Sequence, residues 1–149
     1  MPEITVVITT YNLEAYIGTC LEELFSGTYQ DFDVVLVDDG SKDQTVDIVE
    51  TYAQRYPGRI HPIFLQKNLG SPAKTRNWAL NSGFIDGKYV VFLDGDDSLE
   101  PEYLERLHML ALQSGADTVI CAYDRVEEKS SRVLCTEMQG FPQMISLPP

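Results

Sequence analysis

Four short apolar runs, each handing over to polar residues and then to a helical pattern, constrain this chain more than any other feature. Ile4–Thr9 is β-branched and unbroken, Val34–Val37 is an unbroken apolar run, and Tyr89–Leu93 is a third. Unbroken runs of this length predict strands buried on both faces. Ile60–Leu65 adds another strand, and Pro62 puts it at an edge or at a strand start. Between the runs the apolar period changes to that of a helix. Tyr16, Ile17, Cys20, Leu21, Leu24 and Phe25 form one stripe, closed by Gly27; Ile48, Val49, Tyr52, Ala53 and Tyr56 form the next, closed by Pro57–Gly58. A third helix is expected over Pro72–Ser82. A fourth begins near Pro101 with Leu104, Leu107, Leu110 and Ala111 inward, and a fifth strand follows at Thr118–Tyr123. Alternation of this kind predicts an α/β fold, a doubly wound and mostly parallel sheet flanked by helices.

In such a sheet, ligands bind beyond the carboxyl ends of the strands, and the polar clusters of this chain fall there. Asp94–Gly95–Asp96–Asp97 follows the fourth run. Close-set carboxylates repel one another, so a fold that gathers them usually brings a cation, and a hard ion such as Mg²⁺ or Mn²⁺ suits oxygen donors. Asp94 and Asp96 are the metal candidates, ahead of Asp97; the plain alternative is a polar turn whose last residues cap the next helix. Asp38–Asp39–Gly40–Ser41 follows the second run, and an acidic residue there can hydrogen-bond a base or a ribose hydroxyl. Asp39 is the candidate, with Asp38 and Ser41 read as turn residues; Ser41 with Gln44 also reads as a capping box for a helix from Lys42. After the first run, Tyr11 could lie against a flat base, and the backbone around Thr9 could pair with its edge, while Asn12 reads as a helix cap. Arg76 could contact diphosphate or pair with Asp94 or Asp39; a solvated helix face is the alternative, and the better one for Lys74.

The net charge of −12 argues against nucleic acid and against an anionic membrane surface as partners. It also makes a divalent cation, local Arg or Lys, or helix N-termini necessary if the chain is to hold a pyrophosphate well. Cys20, Cys121 and Cys135 are widely spaced and show no Cys-x-x-Cys pair, as expected of reduced thiols in the cytoplasm. His61 and His108 have no ligand-spaced partners and read as structural. From Asp124 onward the chain turns charged, with one more expected strand at Arg132–Thr136. It then runs to Leu147–Pro148–Pro149, which reads as a cut within a loop of a longer protein.

Taken together, TVVITTYNLEAYIGTCLEEL, VVLVDDGSKDQT, NLGSPAKTRNWAL and GKYVVFLDGDDSLEPEYLERL resemble the N-terminal nucleotide-sugar-binding half of the family 2 glycosyltransferases, which have the GT-A fold. The resemblance covers residues 2–123 and leaves 124–149 as the start of an acceptor-side region. It implies that Asp39 contacts the nucleoside, usually uridine, and that Thr9–Tyr11 and Glu14 line the base and ribose site. It further implies that Asp94 and Asp96 serve ribose and Mn²⁺ or Mg²⁺, with Arg76 near the diphosphate. The implied reaction is an inverting transfer from a nucleoside-diphosphate sugar, a UDP-sugar first of all, to a hydroxyl of a glycan or lipid-linked acceptor. The general base of the family lies in the following half, which often carries membrane-associating helices, so no catalytic base is assigned here. This segment is expected to bind donor and to transfer sugar poorly or not at all.

Readings of other classes remain open at this point. A phospho-accepting receiver-like module would place its acidic pair after the first strand and a Lys after the fifth. A nucleotidyltransferase would show a Gly-rich basic stretch after the first strand. A binding module without chemistry is the third.

Overall fold

The computed structural model describes residues 1–126 and the backbone of 133–137. The chain divides into two units, Met1–Pro101 and Glu102–Pro149.

The first unit is a four-stranded parallel sheet in the order β3-β2-β1-β4, built from β1 (Ile4–Thr10), β2 (Phe32–Asp38), β3 (Ile60–Phe64) and β4 (Tyr89–Asp94). β1 and β2 are buried at every position, as their unbroken apolar runs require. β3 lies at an edge, where the missing N–H of Pro62 removes no necessary ladder bond. Helices α1 (Ile17–Ser26), α2 (Thr45–Arg55) and α3 (Pro72–Leu80) connect the strands. Strand pleating sends Val7, Val35 and Val37 to one face, where Ala79 of α3 closes on them. Val6, Ile8, Val34 and Leu36 point the other way and are just as fully buried. The Phe25 ring of α1 meets Phe32 on that face at 5.2 Å and stacks on Tyr56 at 3.9 Å. Sealing both faces stabilises the sheet by roughly 1.5–3 kcal/mol for each large aliphatic side chain removed from water.

β4 departs from the expectation of a fully buried strand. Leu93 is buried, but Val90 and Phe92 are 36% and 45% exposed. The register explains it. Val90 and Phe92 pair with Thr5 and Val7, so they lie on the α3 face, and α3 packs over β1 and β2 without covering them.

Two helix starts also differ from the sequence reading. α1 begins at Ile17 with no side-chain cap, because Asn12 is used elsewhere. α2 begins at Thr45 rather than Lys42, and the Ser41 hydroxyl turns back to Asp38 instead of capping it. α3 is read correctly: Pro72 opens it and Ser71 Oγ accepts the Lys74 amide at 3.4 Å.

In the second unit, α4 spans Tyr103–Ser114. The expected strand at Thr118–Tyr123 is replaced by β5 (Tyr123–Val126), which pairs antiparallel with β6 (Val133–Glu137), close to the expected Arg132–Thr136. β5 is exposed along its length, and within Thr118–Tyr123 the run before it carries only an isolated bridge residue at Val119. The proline-rich stretch Gln139–Pro149 lies outside the described residues.

Candidate functional site

The strand order reverses between β1 and β4: β2 and β3 add to one side of β1, and β4 to the other. Such a reversal opens a crevice at the carboxyl ends of the strands, because the connecting helices leave in opposite directions. Thr9 and Asp94 are register partners there, and the Thr9 hydroxyl donates to Asp94 Oδ1 at 3.2 Å. An open cleft of about 480 Å³ lies over this point. Thr9, Tyr11, Asp39, Asp94 and Asp96 are among its lining residues; Glu14, Arg76 and Asp97 are not. The volume suits a nucleotide-sized molecule.

Three loops build the cleft. The one after β2 is folded by Asp38, whose Oδ1 accepts the amides of Gly40 at 3.2 Å and Ser41 at 2.9 Å while Oδ2 takes the Ser41 hydroxyl. Gly40 sits at φ +80, and a Cβ there would come within 3.2 Å of the Asn68 amide, so this turn admits little else. Asp38 is therefore a turn residue and Asp39 is the one that reaches the cleft. Asp39 Oδ1 accepts the Leu69 amide at 2.8 Å, tying the loop after β3 to the loop after β2.

That second loop supplies Asn68, Gly70, Ser71, Pro72 and Thr75 to the lining. In the sequence these residues stand only within the stretch NLGSPAKTRNWAL, with no individual site role expected of them. The signal was present in Asn68–Leu69–Gly70: Asn68 Oδ1 accepts the Gly70 amide at 2.6 Å, an Asx turn that needs those residue types.

The loop after β1 is clasped to the loop after β2. The amides of Asn12, Leu13 and Glu14 donate to Ser41 Oγ at 2.8 Å, Thr45 Oγ1 at 2.9 Å and Asp43 Oδ2 at 3.1 Å. In return, the amides of Lys42 and Gln44 donate to Asn12 Oδ1 and Glu14 Oε2, both at 2.8 Å. Asn12 adopts φ +52 to do so, a conformation asparagine tolerates better than most. Glu14 is thus placed outside the cleft, with one carboxylate oxygen engaged by a backbone amide. Some desolvation opposes it, but hydrogen bonds from Thr45 and from the Glu14 amide hold the Asp43 carboxyl below its ordinary range. The clasp leaves Tyr11 half exposed at the cleft wall.

At the acidic end, Arg76 Nη2 donates to Asp94 Oδ1 at 2.5 Å, one of the contacts considered for it. Arg76 Nε is buried and has no hydrogen-bond partner among the described residues. Burial raises the Asp97 carboxyl, and the charges of Asp94 and Asp96 push the same way.

Among the described residues no group of three or more His, Cys, Asp or Glu side chains gathers tightly enough to hold a divalent cation. Asp94 and Asp96 do line the cleft, and Asp94 keeps Oδ2 clear of Arg76 and Thr9. Two carboxylates fit a cation whose remaining ligands are phosphate oxygens and water, the usual arrangement for Mg²⁺, and do not fit a cage made by protein alone.

Cys20 lies beneath this segment, its thiol donating to the Asp94 carbonyl at 3.8 Å. Burial, with the charges of Asp97 and Glu23 adding to it, pushes the Cys20 thiol up to about 12. Its thiolate fraction at pH 8 is then about one in ten thousand. In the folded chain, iodoacetamide at pH 8 is expected to label exposed Cys121 well before Cys20, which should react only on unfolding; equal rates would contradict this burial.

Comparison with known proteins agrees with this geometry. Residues 5–135 match the family described as Glycosyl transferase family 2. The chain belongs to that family. Glycosyltransferase GlyG of Streptococcus pneumoniae is 30% identical over 84% of this chain and 40% of that protein. The structure of S. aureus TarS 1-349 in complex with UDP-GlcNAc superposes with a TM-score of 0.70 at 36% identity, over 77% of this chain and 32% of that one. Mannosyltransferase PcManGT from Pyrobaculum calidifontis, in complex with GDP-Man and Mn²⁺, gives 0.66 at 27% identity, over 85% of this chain and 36% of that one. The fold is the GT-A type of these glycosyltransferases, and the family sets aside the receiver and nucleotidyltransferase alternatives. The chain spans well under half the length of the relatives it matches.

Proposed function

We propose that this glycosyltransferase chain forms the donor side of a metal-dependent, inverting transfer from a UDP-sugar to a hydroxyl of a glycan or lipid-linked acceptor, working in the cytoplasm. One observation carries the reading: a single cleft at the reversal of strand order is lined by an aromatic, an isolated carboxylate and a carboxylate pair, Tyr11, Asp39 and Asp94 with Asp96. Each suits a different part of a nucleoside diphosphate. Tyr11 offers a flat apolar surface to the base. Asp39, fixed through Oδ1 by Leu69, keeps a second carboxylate oxygen to accept from the base or ribose. TarS binding UDP-GlcNAc and PcManGT binding GDP-Man with Mn²⁺ support both the donor class and the cation.

Asp94 and Asp96 would hold the cation, Mn²⁺ or Mg²⁺, which when bound supplies positive charge to a departing diphosphate. Arg76 holds Asp94 in place through its contact with Oδ1. Its unpartnered Nε is a further donor close to the acidic segment. No residue here is assigned as the base that activates the acceptor.

Calorimetry with UDP, with and without Mn²⁺, tests the reading. UDP is expected to bind more tightly in Mn²⁺, and Asp39→Ala to weaken binding about tenfold or more, since it deletes both a ligand contact and the tie to Leu69. Tight metal-free binding of UDP that ignores the acidic pair would remove the metal from the proposal.

A further inference from the structure

α1 turns Ile17, Cys20 and Glu23, at successive spacings of three, toward the segment that follows β4. A Cβ built on Gly95 would stand 3.1 Å from Ile17 Cδ1, so the acidic turn rests directly on that side chain. Cys20 meets the Asp94 carbonyl. Glu23 takes the far end: its Oε1 and Oε2 accept the Ser98 hydroxyl at 3.0 and 2.9 Å, and Oε2 also accepts the Leu99 amide at 2.8 Å. Just beyond, the Thr28 amide donates to the Pro101 carbonyl at 2.9 Å. At the near end, the Gly95 amide donates to the Thr9 carbonyl at 3.0 Å. Asp96 and Asp97 are therefore suspended between two anchors, Thr9 on β1 and Glu23 on α1.

The chemistry of the second anchor is unusual. A carboxylate beside three aspartates is opposed by repulsion, and a neutral acceptor could have capped Leu99 without it. What the charge adds is strength, because hydrogen bonds to an ionised acceptor are shorter and roughly twice as strong as neutral ones. Such a tie matters most for a segment whose own carboxylates push each other apart.

We propose that Glu23 is a positioning residue of the donor site: it never touches the ligand, but by holding Ser98 and Leu99 it fixes the path of Asp96 into the cleft and so sets affinity for the cation–nucleotide pair. This deepens the donor-site reading and rests on it.

Two measurements on the chain carrying Glu23→Ala, Glu23→Gln or Ser98→Ala test the proposal. The first needs no ligand. Amide hydrogen exchange at Asp97 and Leu99 should quicken about tenfold in Glu23→Ala while β1 amides stay unchanged, with Ser98→Ala, which keeps the Leu99 bond, in between. The second is UDP calorimetry. In Mn²⁺ the Glu23→Ala affinity should fall about tenfold, and in chelator it should not change; Glu23→Gln, which keeps one acceptor oxygen, should recover part of the loss. Unchanged exchange overturns the anchor itself. Faster exchange with wild-type affinity in Mn²⁺ overturns the positioning role and leaves a purely structural tie. A wild-type chain that binds no UDP overturns the donor-site reading instead, and the exchange comparison still decides whether Glu23 holds the segment. Should Glu23→Ala fail to fold, the two milder variants carry both readouts.

Discussion

Asp96→Asn is expected to weaken UDP binding in the presence of Mn²⁺ by about 100-fold. Residues that merely support a metal ligand are typically worth 10- to 100-fold, so removing one of two direct oxygen donors reaches the upper end. Asp96 is the cleaner of the pair to change. Asp94 is tied to Arg76 and Thr9, and its loss would free a guanidinium as well as remove a donor. Because two carboxylates leave most of the coordination shell to others, Mn²⁺ alone should bind this chain weakly. Nucleotide and cation should strengthen each other by one common factor, as thermodynamic linkage requires. Titrating Mn²⁺ against the chain at several UDP concentrations measures that factor from one side, and titrating UDP at several Mn²⁺ concentrations measures it from the other. In chelator, wild type and Asp96→Asn should bind UDP alike. Equal affinities for the two chains in saturating Mn²⁺ would refute the assignment of Asp96.

Gly87→Ala should destabilise the first unit by roughly 2–4 kcal/mol, a large effect for adding one methyl group. A Cβ at Gly87 would lie 2.4 Å from the Thr5 amide nitrogen and 2.7 Å from the Ile4 carbonyl carbon. Both belong to β1, which is hydrogen-bonded on both sides, to β2 and to β4, and has nowhere to retreat. The Gly87 amide also donates to Thr5 Oγ1 at 2.9 Å, so the backbone cannot swing out without losing that bond. Relief must come from the start of β4. A thermal midpoint lowered by about 10 °C is the expected result for a chain of this size. Since β4 delivers Asp94, UDP affinity should fall with it. A midpoint within a degree or two of wild type would show that the approach is relieved more cheaply than the buried backbone suggests.

The parallel fold was legible in the sequence because double-sided burial writes itself as unbroken apolar runs, and β1 and β2 are as buried as those runs imply. β4 is as continuously apolar up to Leu93 but has a different environment, since its exposed face depends on how far α3 reaches, and no residue of β4 encodes that. Thr118–Tyr123 misled for a related reason: apolar runs give strand propensity but not strand partners. The placement of Asp39, Asp94 and Asp96 along the cleft, and of Asp38 in its turn, was readable because they lie at or directly after strand ends. Asn12, Glu14 and Ser41 were not. Each carries a type suited to capping or to ligand contact, and each is instead engaged between loops that lie some thirty residues apart in sequence. Local patterns cannot report bonds of that range. Glu23 was hidden for the same reason, as the second of two adjacent acidic residues on an otherwise ordinary helix.

The Thr9–Asp94 contact joins positions 85 residues apart. β1 can pair with β2 as soon as the intervening helix closes, but the crevice exists only once β4 has crossed over to the opposite side of β1. Contacts of such long range carry the largest loop-closure entropy and form late in folding. Competence to bind nucleotide should therefore appear at the end of refolding, in step with native β4 protection. UDP would stabilise the finished sheet without accelerating its assembly.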